Sequence, residues 1–122
     1  MTARSILIID DEIDLMELFK MALRRLPYQV LTAKDGPTAL ELLEQEKPAL
    51  IVLDIAMPQM SGIAVLHKIR SDSRFENTKI MILTAVPNRV TQQDANIADA
   101  VLLKPITLKG LEEAVNDLIG GA

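Results

Sequence analysis

The chain contains no cysteine and no tryptophan, and its aromatic content is one tyrosine and two phenylalanines. Without cysteine there can be no disulfide, thiol nucleophile or thiolate metal site, which fits a reducing compartment. With almost no aromatic bulk, the interior has to be built from Leu, Ile, Val, Ala and Met. No apolar run approaches the length of a membrane span, and the stretch in "MTARSILIIDDE" is too short for a signal-peptide core. Basic clusters are also absent. With a formal net charge of -4, a nucleic-acid surface is disfavoured, because such surfaces neutralise phosphates with grouped Lys and Arg. The sequence has neither an internal repeat nor a low-complexity tract. These absences leave a cytoplasmic globular protein without direct nucleic-acid or membrane contact.

What is present is aliphatic and regularly arranged. A chain of 122 residues, 49% hydrophobic and 25% charged, is expected to form one domain over 1–122 with a single fold. Short aliphatic runs at 5–9, 29–33, 49–54, 79–84 and 100–103 predict strands. They are continuously apolar rather than alternating, as expected of a parallel sheet covered on both faces. Segments of helical period separate them. Leu15, Leu18, Phe19, Ala22, Leu23 and Leu26 trace one stripe, and Ala39, Leu40, Leu42 and Leu43 a second. Ile63, Leu66 and Ile69 follow the candidate N-cap Ser61, and Leu111, Val115 and Leu118 follow Thr107. The segment between the fourth and fifth strands, "AVPNRVTQQDANIAD", predicts only a short or irregular helix. Alternating strand and helix implies right-handed crossovers. The expectation is therefore an α/β, flavodoxin-like three-layer sandwich whose five-stranded parallel sheet has the order 2-1-3-4-5, with helices on both faces.

The stretch "LIVLDIAMP" poses the chemical question, because it carries a carboxylate, Asp54, to the end of a strand fit for the middle of a sheet. A buried carboxylate needs a cation or loses its charge. In the expected topology Asp10 and Asp11 close the first strand, Asp54 the third, Thr84 the fourth and Lys104 the fifth. Three carboxylates in one cleft repel, by roughly 4 kcal/mol per pair at about 4 Å and an effective dielectric near 20. Oxygen donors without imidazole or thiolate point to Mg²⁺ or Mn²⁺. With Lys104 and one divalent ion the formal charges cancel. Such a site suits a phosphoryl group, with Asp54 as candidate nucleophile and Thr84 and Lys104 as the groups that respond to it.

Together, "LIIDDE", "LDIAMPQMSG", "ILTA" and "LLKPI" at successive strand ends resemble the receiver domain of bacterial two-component response regulators, the family of the chemotaxis response regulator. The resemblance covers essentially the whole chain. It implies that Asp54 accepts a phosphoryl group from a sensor histidine kinase or histidine phosphotransfer protein. It further implies that Asp11, Asp54 and the main-chain carbonyl of Ala56 ligate Mg²⁺, with Asp10 acting largely through metal-bound water. Thr84 and Lys104 would each engage a phosphoryl oxygen, and Lys104-Pro105 resembles the family's cis bond. The protein would be a regulatory phosphoacceptor, catalysing only its own phosphotransfer and dephosphorylation. Phosphorylation would switch the surface of the fourth helix, fifth strand and fifth helix towards a downstream protein or a linked effector domain.

Departures from the family pattern are equally legible. Val101 stands three positions before the lysine, where the family usually has an aromatic, and the segment from Thr84 to Lys104 is shorter than usual. Ala56 and Val86 occupy positions that often carry polar side chains influencing hydrolysis. The alternative reading is a receiver-fold interaction module that signals weakly or not through phosphorylation. A phosphohydrolase of the haloacid dehalogenase type would need an acid two positions after Asp54, where Ala56 stands. For a flavin- or nucleotide-binding module, "DDEID" is the wrong loop, since it repels phosphate unless a metal intervenes. Glu12 reads as a first-turn helix residue, His67 as an ordinary surface histidine and Gly62 as relief of backbone crowding. Met57-Pro58 and Met60 read as loop packing. The last helix leaves room for a homodimer without compelling one.

Overall fold

The computed structural model describes residues 4–57 and 60–120. Five strands form one parallel sheet in the order β2-β1-β3-β4-β5. They are β1 (Ser5–Ile9), β2 (Gln29–Ala33), β3 (Leu50–Leu53), β4 (Lys79–Thr84) and β5 (Ala100–Leu103). The helices between and after them are α1 (Ile13–Leu23), α2 (Gly36–Leu42), α3 (Gly62–Arg70), α4 (Gln92–Ile97) and α5 (Leu108–Ile119). Short 3₁₀ turns occupy Ser73–Phe75 and Pro87–Arg89. The doubly wound α/β sandwich expected from the aliphatic runs is the fold observed.

Strand residues alternate between two cores. Leu7, Ile9, Ile51, Leu53, Ile80 and Ile82 point to one face, where Ala39, Leu43, Val65, Leu66 and Ile69 of the α2–α3 region cover them. Ile6, Ile8, Leu50, Val52, Met81 and Leu83 point to the other, against Met16, Phe19 and Leu23 of α1 and Leu111, Val115 and Ile119 of α5. This double coverage is why the strands read as unbroken aliphatic runs. Burying each Leu or Ile side chain contributes about 1.5–3 kcal/mol.

Register sets where the strand ends fall. Ile9 lies beside both Ala33 and Leu53, Leu53 beside Ile82, and Thr84 beside Leu103. The residues that follow β1, β3 and β5 therefore emerge along one edge of the sheet. β3 is one residue shorter at each end than expected. The Asp54 N–H still bonds to the Ile9 carbonyl at 2.9 Å, but its carboxylate accepts the Ala56 N–H at 3.1 Å and turns the chain.

Apart from α1, the helix starts follow side-chain caps. Ser61 accepts from the Ala64 N–H and Thr107 from the Gly110 N–H, as their positions suggested. Helix α4 has six residues and is capped reciprocally by Thr91 and Asp94. It is also tied to α3. His67, half exposed and expected to be an ordinary surface residue, places Nε2 2.7 Å from Asp94 Oδ1. That hydrogen bond, above all, holds the Asp94 carboxyl below its ordinary pKa. Arg70 donates to the Ile97 carbonyl and to Asp99, both at 2.7 Å, and to the carbonyls of Phe75 and Thr78.

Two apolar assignments are corrected. Leu18 is 49% exposed and Met16 takes its place in the core, because the buried face of α1 centres on Phe19 and Leu23, which at about 100° per residue turns Met16 inward and leaves Leu18 on the flank. Val65 and Ile119 are buried although the helical stripes omitted them. Met57 packs in the core and Met60 partly so, whereas Pro58 lies outside the described residues.

Gly62 starts α3 directly beneath the β3–α3 turn. A Cβ there would collide with the Asp54 carbonyl and the Ile55 Cα, both main-chain atoms that cannot swing aside. Gly62→Ala is expected to lower unfolding stability by about 3 kcal/mol, read as a lower urea midpoint, with Gly110→Ala, which meets mainly side chains, shifting it much less.

Candidate functional site

The carboxyl edge of the sheet gathers acidic side chains from β1 and β3. Asp10 and Asp54 are almost fully buried there, and Asp11 is exposed beside them. One carboxylate oxygen from each of the three lies within 4.8 Å of the others. Three like charges at such spacing, two of them out of water, require compensation.

Lys104 supplies part of it. From the end of β5, anchored by its own N–H on the Thr84 carbonyl at 2.8 Å, it sends an ammonium back across the edge. Nζ donates to Asp10 Oδ2 at 2.9 Å and to Glu12 Oε1 at 3.0 Å, and lies 3.7 Å from Asp54 Oδ2. The Lys104-Pro105 peptide is cis. Burial would pull the Lys104 pKa down, but the hydrogen bonds to Asp10 and Glu12 and the charges of Asp10 and Asp54 outweigh it, so the net direction is up. The ammonium stays charged.

Asp54 moves the other way from an ordinary ion-paired carboxylate. Burial pushes its pKa up and Asp10 and Asp11 add to that, while the Ala56 N–H and Lys104 pull it down without prevailing. The acid is left under-compensated by the protein alone. Its remaining partners are oxygens of other carboxylates, a donor set that suits a hard divalent cation such as Mg²⁺ and supplies neither imidazole nor thiolate. The residues present therefore fit the metal that the acidic pattern called for.

Thr84 completes the edge. It is fully buried, and its hydroxyl oxygen accepts the Val86 N–H at 2.9 Å, which leaves its O–H free to donate. Ala56 is exposed and contributes its N–H to Asp54. Val101 is partly buried against the α2–α3 core. The structure thus brings Asp10, Asp11, Asp54 and Lys104 into direct proximity and sets Thr84 at the adjoining strand end. Beside them a groove of about 360 Å³ opens between Leu15, Phe19, Pro105 and Ile106.

Glu12 sits at the helix start, as its position suggested, but makes a contact that the sequence did not announce. It is the N-cap of α1, yet its side chain makes no cap hydrogen bond and reaches Lys104 instead. The only available signal was its place next to Asp11, which is equally a place for a helix-start acid.

A buried carboxylate at a parallel-sheet edge, flanked by acids and closed by one lysine, places the chain among doubly wound α/β modules with an acidic site at the carboxyl ends of the strands. The chain belongs to the response regulator receiver domain family, whose sequence pattern matches residues 6–116. A probable transcriptional regulator, ycf27 of Guillardia theta, is 36% identical over 121 residues, which cover 97% of this chain and 46% of that protein. The sensor histidine kinase TmoS of Ectopseudomonas mendocina is 38% identical over 117 residues, covering 93% of this chain and 12% of that one. Among solved structures, the response regulator TrrA of Thermotoga maritima in complex with Mg²⁺-BeF superposes with a TM-score of 0.84 at 33% identity, over 95% of this chain and 99% of that chain. The chain spans about half the length of ycf27-type regulators. Among the described residues no helix is long and apolar enough to cross a membrane.

The raised Asp54 pKa has a stability consequence. The unfolded chain releases this proton near the ordinary value of 3.8, and the folded protein keeps it to higher pH. Between those values the folded state binds more protons, so the contribution of Asp54 falls as pH rises through the window. In metal-free buffer with chelator, Asp54→Asn is expected to raise the Tm at neutral pH by a few degrees. The gain should disappear in melts taken as pH drops to the ordinary carboxylate pKa.

Proposed function

We propose that Asp54 is the phosphoacceptor of this receiver domain and that Lys104 and Thr84 are the groups that hold the transferred phosphoryl. The observation that carries this reading is the charge arrangement at the sheet edge: a buried Asp54 whose nearest cation, Lys104, stops 3.7 Å away. Asp54 therefore has no salt-bridge hydrogen bond occupying its outer oxygen.

In the proposed reaction an ionised Asp54 oxygen attacks phosphorus of a phosphohistidine on a sensor histidine kinase or histidine phosphotransfer protein. The new P–O bond forms as the P–N bond breaks, and the departing imidazole takes up a proton. Asp10, Asp11, Asp54 and the Ala56 carbonyl would hold Mg²⁺, which supplies charge neutralisation for the phosphoryl oxygens. Lys104 Nζ and the Thr84 O–H donate to the other oxygens, whose charge of about -1.5 to -2 exceeds that of the carboxylate they replace. That the TrrA structure carries Mg²⁺-BeF supports the same assignment for this chain.

The output follows from the same residues. Lys104 follows β5 and Thr84 ends β4, so their movement towards a phosphoryl group is transmitted to α4, β5 and α5, the surface offered to a downstream protein or a linked effector domain. With Val101 in place of an aromatic, the change runs through backbone and small apolar side chains. Reversal by hydrolysis requires a water near the acyl phosphate, and Ala56 and Val86 offer it no polar side chain.

Intact-mass measurement after incubation with acetyl phosphate and Mg²⁺ is expected to show one phosphoryl adduct on the wild type and none on Asp54→Asn; an unmodified wild type would sink this reading. On the hydrolysis step, Ala56→Asn and Val86→Glu are each expected to change the adduct lifetime severalfold, followed by mass after the donor is removed. Unchanged decay in both variants would count against water control at these positions.

A further inference from the structure

Lys104 has more partners than phosphoryl recognition requires. An ammonium carries three N–H donors. Those of Lys104 are drawn to Asp10 Oδ2 at 2.9 Å and Glu12 Oε1 at 3.0 Å, while Asp54 Oδ2 sits at 3.7 Å, beyond hydrogen-bond distance. Glu12 is itself held in register with the site. Its main-chain N–H donates to Asp10 Oδ1 at 2.9 Å, and its carboxylate, unused by the helix it precedes, is left for the lysine.

We propose that Glu12 is a positioning residue of the acceptor site, whose carboxylate holds the Lys104 ammonium off Asp54 at rest and competes with the phosphoryl group for it afterwards. This rests on Asp54 being the phosphoacceptor and adds a control on that site.

The geometry separates two stages. Before transfer, a lysine hydrogen-bonded to Asp54 would occupy the lone pairs needed for attack on phosphorus. Drawn towards Glu12, the same ammonium lowers the negative field without blocking the oxygen. After transfer the phosphoryl oxygens are the stronger acceptors, and the Lys104–Glu12 contact has to lengthen for Nζ to reach them. The pair is built to yield. Glu12 is 61% exposed and resolvates at little cost, whereas the lysine, 12% exposed, stays at the edge. Glu12 therefore sets how readily the phosphoryl group captures Lys104.

The test is beryllofluoride affinity at saturating Mg²⁺, measured by titration calorimetry on the full chain. Glu12→Gln is expected to bind it roughly two- to fivefold more tightly than wild type, the range a half-exposed ion pair supports. Glu12→Asp keeps the charge but is one methylene too short to reach Lys104, so it should tighten binding as well. Asp14→Asn removes a nearby exposed charge from the first turn of α1 and should leave affinity unchanged. A Glu12→Gln affinity equal to wild type overturns the proposal. So does Glu12→Asp matching wild type, or Asp14→Asn tightening as much as Glu12→Gln, since either pattern is through-space charge alone. A wild type that binds no beryllofluoride overturns the phosphoacceptor reading, and this proposal with it.

Discussion

The ammonium of Lys104 among carboxylates drawn from strands far apart in sequence is the interaction on which the site depends. Removing charged oxygens from water at Asp10 and Asp54 costs several kcal/mol per ion unless an opposite charge is brought to them. The fold brings one from the end of β5, 2.9 Å from Asp10 and 3.7 Å from Asp54. The compensation is partial. It leaves Asp54 with a raised proton affinity and the cluster with oxygen donors to spare, the condition in which a cation or a phosphoryl group completes the charge balance.

That arrangement needs a sheet edge that does not move. Two cores press on the sheet from opposite sides, and fully buried Leu, Ile and Val side chains of β1 and β3 hold its centre. The approach of α3 to the β3–α3 turn, close enough that only a glycine fits at position 62, locks the loop carrying Asp54. On the opposite flank α4 is brief, and besides the packing of Ile97 on the core it is tied to α3 by polar contacts, His67 to Asp94 and Arg70 to the Ile97 carbonyl. Rigid centre and polar-tethered flank suit a domain that receives a charge at one place and reports it at another.

Much of this was legible along the chain. Strand positions came through because a strand buried on both faces has to be apolar at every residue, and only β3 moved, by one residue at each end. The caps Ser61 and Thr107 were readable because a hydroxyl before an apolar stripe has a local reason to be there. Errors arose where position on a helix decided the matter. Leu18 looked like core and is exposed, while Met16 is buried. A stripe of apolar residues wider than the buried face does not fix the helix's rotation, and here the sheet takes the side holding Met16, Phe19 and Leu23. The contacts of His67 and Glu12 were hidden for a different reason, because each partner, Asp94 or Lys104, lies far along the chain and nothing local announces it.

Sequence alone determined the alternation of aliphatic strands with amphipathic helices, the parallel sheet that this implies, and the identity of the acids, hydroxyl and lysine at the strand ends. These depend on neighbouring residues and on period, which a linear chain displays. Tertiary structure decided the distances: that Lys104 rests on Asp10 and Glu12 rather than on Asp54, that Asp54 keeps a raised pKa, and that α4 is tied to α3. Coulomb interactions and hydrogen bonds change over fractions of an ångström, and such separations are fixed only when strand register and helix packing are satisfied together.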